Sequence, residues 1–182
     1  HMTPKEHKQW LINDRPLGRP LADNDFKLVT SPVQEPGDGE VLMKTLFLGF
    51  DPALKGWMEN IGGYVAPTEI GEVMRGSGIC EVIKSNHPKF KPGDKVAGLT
   101  GWQQYPCKPG SELEKIKDES LMTAQLGVLG TPGMTAYFGL LRIGQPIAGD
   151  TVVVSGAAGA TGSVVGQIAK LMGCRTIGIA GG

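Results

Sequence analysis

Three cysteines in 182 residues, at 80, 107 and 174, are scattered and odd in number, and no pair has the C-x-x-C spacing of a thiolate zinc site. That argues against a disulfide framework and for a reducing cytoplasm. Neither sign of charge is in surplus. Lys+Arg and Asp+Glu both total 18, so no basic field exists to draw in nucleic acid or an anionic membrane. No apolar run approaches the ~20 residues of a membrane helix, and the N-terminus lacks a secretory apolar region. Glycine, by contrast, is plentiful at 28 residues. Many lie inside apolar stretches, as expected where backbone turns tightly or approaches a ligand. At 40% hydrophobic and 20% charged, the chain can build an ordinary core. Its length allows one domain, or one domain and part of a second.

Residues 1–25 are polar and turn-rich, and Arg15-Pro16 and Arg19-Pro20 break any helix there. His7 and His87 read as isolated, solvated side chains. From Phe26 onward the character changes to short β-type runs at 26–33, 40–50, 79–85 and 95–99, with turns predicted at 35–39, 51–52, 86–88 and 90–94. Several strands at near-regular spacing, each closed by Gly or Pro, predict a small barrel-like β domain. After Asp118 the period switches. Short helices are expected at 120–129 and 135–143, separated by Gly130-Thr131-Pro132-Gly133. The β-branched run 151–155 (TVVVS) is of the kind buried in parallel sheets. Residues 162–172 follow with an apolar stripe at Val164, Val165, Ile168, Ala169 and Met172, a helical period closed by Gly173. A second buried strand is expected at 176–180. The reading is therefore α/β: a β-rich part over 1–119, then one β-α-β unit over 120–182. One such unit cannot form a doubly wound domain alone, so a truncated Rossmann domain is expected.

Between those two strands lies Gly156-Ala157-Ala158-Gly159-Ala160-Thr161-Gly162. A strand running into a glycine-rich turn that opens a helix is a dinucleotide-binding arrangement. The helix start offers unpaired N–H groups and partial positive charge to a pyrophosphate. Gly159 would let the backbone approach the phosphates, and Gly162 would let helix and strand lie close. The match to G-x-G-x-x-G is imperfect, because Ala157 holds the first glycine position. Gly156, Ala158, Gly159, Ala160, Thr161 and Gly162 are the candidate cofactor-binding residues of the loop. NAD-binding domains usually end the second strand with a carboxylate for the ribose 2′-hydroxyl. Here that end reads Ala180-Gly181-Gly182, which favours NADP(H).

The stretches Phe50-Asp51-Pro52, Glu69-Ile70-Gly71-Glu72-Val73-Met74-Arg75-Gly76 and Gly130-Thr131-Pro132-Gly133-Met134-Thr135-Ala136-Tyr137, followed by the A-A-G-A-T-G loop, resemble the medium-chain dehydrogenase/reductase superfamily. The resemblance is to its zinc-independent branch of leukotriene B4 dehydrogenase/prostaglandin reductases, 2-alkenal reductases and curcumin reductases, and covers residues 5–182. It implies a GroES-like catalytic domain followed by a Rossmann domain. It also implies NADPH-dependent reduction of the C=C bond of α,β-unsaturated ketones or aldehydes, and a possible homodimer at full length. A catalytic zinc needs three protein ligands. In zinc-dependent relatives a Gly-His-Glu segment supplies one and a Cys after the long strand another; the corresponding stretches here, Val73-Met74-Arg75-Gly76 and Phe50-Asp51-Pro52, lack that His and that Cys, and the four-Cys structural lobe is missing too, so no metal is expected.

Without a metal, hydrogen bonding must stabilise the enolate oxygen. Of Tyr64, Tyr105 and Tyr137, the loop residue Tyr64 is the candidate catalytic group. Asp51, Trp102 and Met134 are expected at the substrate pocket, with Met134 and Thr135 beside the nicotinamide. Plant and bacterial members of the branch commonly read Asp-Pro-Tyr-Met-Arg-Gly-Arg-Met, whereas this chain reads Asp51-Pro52-Ala53-Leu54-Lys55-Gly56-Trp57-Met58. The changes at Ala53 and Trp57 remove a phenol and a positive charge, which points to a more apolar or differently shaped enone. Two other readings stand beside this one: a zinc-free quinone reductase, and a catalytically inactive fragment or nucleotide-binding scaffold.

Overall fold

The computed structural model describes residues 3–15, 17–18, 23–49, 69–117, 139–142, 151–155 and 175–179. The first strand, β1 (Glu6–Ile12), pairs antiparallel with β2 (Phe26–Pro32), in a register that sets His7 opposite Ser31 and Ile12 opposite Phe26. β1 lies where only turns are expected from the sequence. It buries His7 between exposed Glu6 and Lys8, then buries Trp10 and Ile12, so the two-residue alternation changes phase within the strand. Its inward residues are too mixed in polarity for the period to stand out.

The remaining strands form one sheet around β3 (Glu40–Gly49). β4 (Gly78–Ser85) pairs antiparallel along one edge of β3, β5 (Lys95–Gly98) pairs with β4, and β7 (Glu114–Lys115) with β5. The other edge of β3 is shared. β6 (Cys107–Pro109) takes its first residues, and β8 (Gly139–Arg142) takes its last. A strand paired on both edges and covered on both faces reads as a continuous apolar run, which is why Val41, Leu42 and Met43 are all fully buried.

Turn chemistry connects the strands. Asp94 N–H donates to Lys91 O across Pro92 and Gly93, and Gly93 has a φ of 94°. That is the Pro-Gly pairing of a type II turn, in which only the second central residue needs the left-handed region. It feeds β5 as the sequence predicts. The core against β3, β4 and β5 comprises Val41, Met43, Cys80, Val82, Phe90 and Val96, with Leu113 packed against it.

Within the span 135–143, where the sequence predicts a helix, residues 139–142 form a strand instead: β8 (Gly139–Arg142) is paired antiparallel with β3 on one side and with β9 (Thr151–Ser155) on the other. A short Gly-Leu-Leu-Arg run has no period long enough to separate strand from helix, and one of its two ladder partners, β3, lies far back in the chain. β9 pairs in parallel with β10 (Arg175–Ile179), Thr151 opposite Arg175 and Ser155 opposite Ile179. Parallel neighbours require a crossover connection rather than a tight turn. The helices expected at 120–129 and 162–172 lie outside the described residues.

Candidate functional site

Three segments converge on one another: β1, residues 69–76 and residues 100–106. The Glu69–Gly76 motif folds against β1. Ile12 N–H donates to Glu72 O, Gly71 N–H to Ile12 O, and Met74 N–H to Trp10 O, at 2.8–2.9 Å. Residues 101–104 close on both. Trp102 N–H donates to Met74 O, Trp10 N–H to Trp102 O, and Gln104 N–H to Lys8 O. Gly101 makes the close approach possible. Its φ is 77°, and a Cβ there would lie 3.1 Å from Val73 Cγ1 and 3.3 Å from Met74 O.

Trp102 is the one sequence-nominated site residue within the described residues. It is fully buried, and its ring stacks on Phe26 with centroids 5.4 Å apart and planes at 28°. Its backbone is committed in both directions, to Met74 and to Trp10. Asp51, Tyr64, Met134, Thr135 and the loop residues Gly156, Ala158, Gly159, Ala160, Thr161 and Gly162 lie outside the described residues. The chain enters that loop directly after Ser155, the carboxyl end of β9.

Beneath the converging segments lies a buried polar cluster. Thr45 Oγ1 donates to Gln103 O at 2.7 Å, Gln103 Nε2 to Thr100 O at 2.8 Å, and Gln9 Nε2 to Gln103 Oε1 at 2.8 Å. The Cys80 thiol donates to Thr100 Oγ1 at 3.6 Å and lies 3.6 Å from Thr45 Oγ1. Burial pushes the Cys80 thiol up to about 11, against the opposing pull of the Thr100 and Thr45 hydrogen bonds. It is therefore a packed thiol rather than a nucleophile, since reactivity needs thiolate.

To one side opens a cleft of about 360 Å³ whose walls include His7, Gln34, Glu72, Gln103, Tyr105 and Lys108. His7, expected to be solvated, is instead buried, at only 4% exposed. The strand it belongs to turns it inward, where Nδ1 accepts the Tyr105 N–H at 2.9 Å. Burial lowers its pKa and raises that of the Tyr105 phenol. His87 is likewise not simply solvated. It is half-buried, its ring centroid lies 5.2 Å from that of Phe90, and Nδ1 accepts the Lys89 N–H. Cys107, also on the cleft wall, is pushed up to about 11, first by burial and then by Glu40.

Thr45, Gln103 and His7 were not singled out from the sequence as site residues. A lone Thr inside the apolar run of β3 is the one local signal among them. Thr45 to Gln103, Gln9 to Gln103 and His7 to Tyr105 each pair residues tens of positions apart.

Residues 8–116 match a family described as the N-terminal domain of oxidoreductase. The chain is 45% identical over 179 residues to the NADPH-dependent curcumin reductase of Escherichia coli (strain K12), covering 98% of this chain and 52% of that protein. It is 40% identical over 180 residues to the 2-alkenal reductase (NADP(+)-dependent) of Nicotiana tabacum, covering 96% and 52%. Among solved structures, that of CurA in complex with NADPH from Vibrio vulnificus matches with a TM-score of 0.63 at 41% identity, covering 96% of this chain and 52% of that one. The chain spans about half the length of the curated relatives it matches. The chain belongs to this oxidoreductase family, in the medium-chain dehydrogenase/reductase branch of the curcumin, 2-alkenal and prostaglandin reductases.

Proposed function

We propose that the whole protein is an NADPH-dependent reductase of the C=C bond of α,β-unsaturated ketones and aldehydes, working without a metal. The observation that carries this reading is the match along nearly the whole chain to curcumin and alkenal reductases that use NADP(H). We assign residues 1–119 to a GroES-like substrate domain and 120–182 to the start of a Rossmann domain. The parallel β9–β10 pair supports the second assignment, because the glycine-rich run begins at the carboxyl end of β9, where such sheets bind ligands.

In this reading Gly156, Ala158, Gly159, Ala160, Thr161 and Gly162 cradle the pyrophosphate with backbone N–H groups, and Met134 and Thr135 flank the nicotinamide. NADPH bound there would supply the hydride that the substrate β-carbon takes up. Tyr64 donates a hydrogen bond to the enolate oxygen that develops, and the α-carbon takes a proton from that group or from water. Asp51 and Met134 shape the substrate pocket, and the buried Trp102 backs its wall. Ala53 and Trp57, standing where plant and bacterial members of the branch commonly have tyrosine and arginine, favour a more apolar or differently shaped enone. Unpaired thiols at Cys80 and Cys107 fit a reducing, cytoplasmic setting.

The test is NADPH oxidation by the whole protein with a panel of enals, cyclic enones, diketones and a simple quinone, with product analysis. Saturated carbonyl products, with unequal rates across the enones, are expected. Turnover of the quinone without any enone would replace this reading with a quinone reductase.

A further inference from the structure

The ties between β1 and residues 102–105 run from His7 to Trp10, and the one nearest the N-terminal end of the strand depends on a titratable group. Trp10 N–H donates to Trp102 O, Gln9 Nε2 to Gln103 Oε1, Gln104 N–H to Lys8 O, and Lys8 N–H to Gln104 Oε1. All of these use amides, which neither gain nor lose a proton in the ordinary pH range. The last tie is different. Tyr105 N–H donates to Nδ1 of His7, and an imidazole nitrogen accepts only when it carries no proton. The bond therefore demands a neutral ring with its proton on Nε2.

The surroundings do little to favour a charged ring. His7 is buried in the wall of the cleft. Across the hairpin it faces Ser31, which has no charge. The 69–76 segment brings Glu72 to the cleft, residues 102–106 bring the Tyr105 phenol, and β6 brings the Cys107 thiol and the Lys108 ammonium. One carboxylate and one ammonium leave no net charge to hold a proton on the imidazole. Glu6 and Lys8, its neighbours on β1, are exposed.

We propose that His7 is an acid-sensitive latch that holds residues 103–106 against the start of β1 when neutral and releases them, loosening the cleft wall, when protonated. Protonation turns the acceptor into a second donor facing the Tyr105 N–H, so attraction is replaced by two opposed donors. The sign follows from burial, which lowers the folded-state pKa below the ordinary 6.5. The latch contributes fully above that ordinary value, and its contribution is lost as pH falls below it through the lowered folded value.

Nitrogen-15 spectra of the 182-residue chain read the ring tautomer, and amide hydrogen exchange, normalised to the intrinsic rate, reads the latch. The expected result at neutral pH is a proton on Nε2 and a protected Tyr105 amide. On acidification that protection should fall about tenfold or more, while Met74 and Val82, whose amides are held by Trp10 O and Asp94 O, stay protected. His7→Asn puts a non-titrating oxygen where Nδ1 stands, and should keep Tyr105 protected at both pH values. A proton on Nδ1, or no loss of Tyr105 protection before global acid unfolding, overturns the latch. So does an equal loss in His7→Asn. If that variant does not fold, the tautomer and exchange of the unaltered chain decide the matter alone.

Discussion

The two ends of β3 teach different lessons about how one strand face is held. Val41, Met43 and Thr45 follow one another at alternate positions, so all three project to the same side. Val41 and Met43 enter a dry cluster with Val82, Phe90 and Val96. Thr45, two residues further on, enters a cluster held by hydrogen bonds to Gln103 and by contact with the Cys80 thiol. Cys80 belongs to both, touching the apolar side as a small hydrophobe and the polar side as a weak donor. The apolar end is held by volume, which tolerates exchange of shape for shape. The polar end is held by pairs, and removing one partner leaves the other buried without it.

Substitutions at each end test that contrast, each read as the change in unfolding free energy by urea titration. The largest effect is expected where the polar segment meets its own apolar support. Trp102→Ala removes a fully buried ring stacked on Phe26 and should cost about 3–5 kcal/mol. A loss below about 1 kcal/mol would mean the ring is not part of the core. At the apolar end, Met43→Ala should cost about 2–5 kcal/mol, whereas Met43→Leu should cost less than about 1.5 kcal/mol.

At the polar end even a same-shaped change should hurt. Thr45→Val keeps the volume but takes the donor from Gln103 O, for about 1–3 kcal/mol, and Thr45→Ser should recover part of that. Equal tolerance of Met43→Leu and Thr45→Val would erase the distinction between the two ends. The smallest effect belongs to the surface. Glu35→Gln breaks a 3.1 Å pair with Lys84 whose two side chains are 78% and 46% exposed, and should change stability by less than about 1 kcal/mol.

Much of this architecture is legible from the chain alone. The expected runs 26–33, 79–85 and 95–99 differ from β2, β4 and β5 by a residue or two, because Gly and Pro punctuate them. The turn at Pro92-Gly93 is carried by residue types that only that turn uses well. β9 coincides with the expected 151–155, and β10 begins one residue before the expected 176.

What escapes is whatever depends on partners far away. β1 is a strand because β2 and two distant loops complete its bonding, and β8 is one because β3 and β9 flank it. His7 looks solvated until β1 exists to turn it inward. The network through Thr45, Thr100 and Gln103 joins positions that no sequence window contains. At the proposed nucleotide site the situation is reversed. The Gly156–Gly162 motif is local, with strand, turn and helix start expected in succession, and so it is readable from the chain. Tyr64, Asp51, Met134 and Thr135 carry no such local signature and entered through family resemblance.

The most direct test of the reductase assignment is a titration of NADPH and NADH against the whole protein and against Gly159→Val. Saturable binding that prefers NADPH, weakened about tenfold or more when a side chain blocks the backbone's approach to the phosphates, is the predicted result. Unchanged NADPH binding by Gly159→Val, or a preference for NADH, would contradict it.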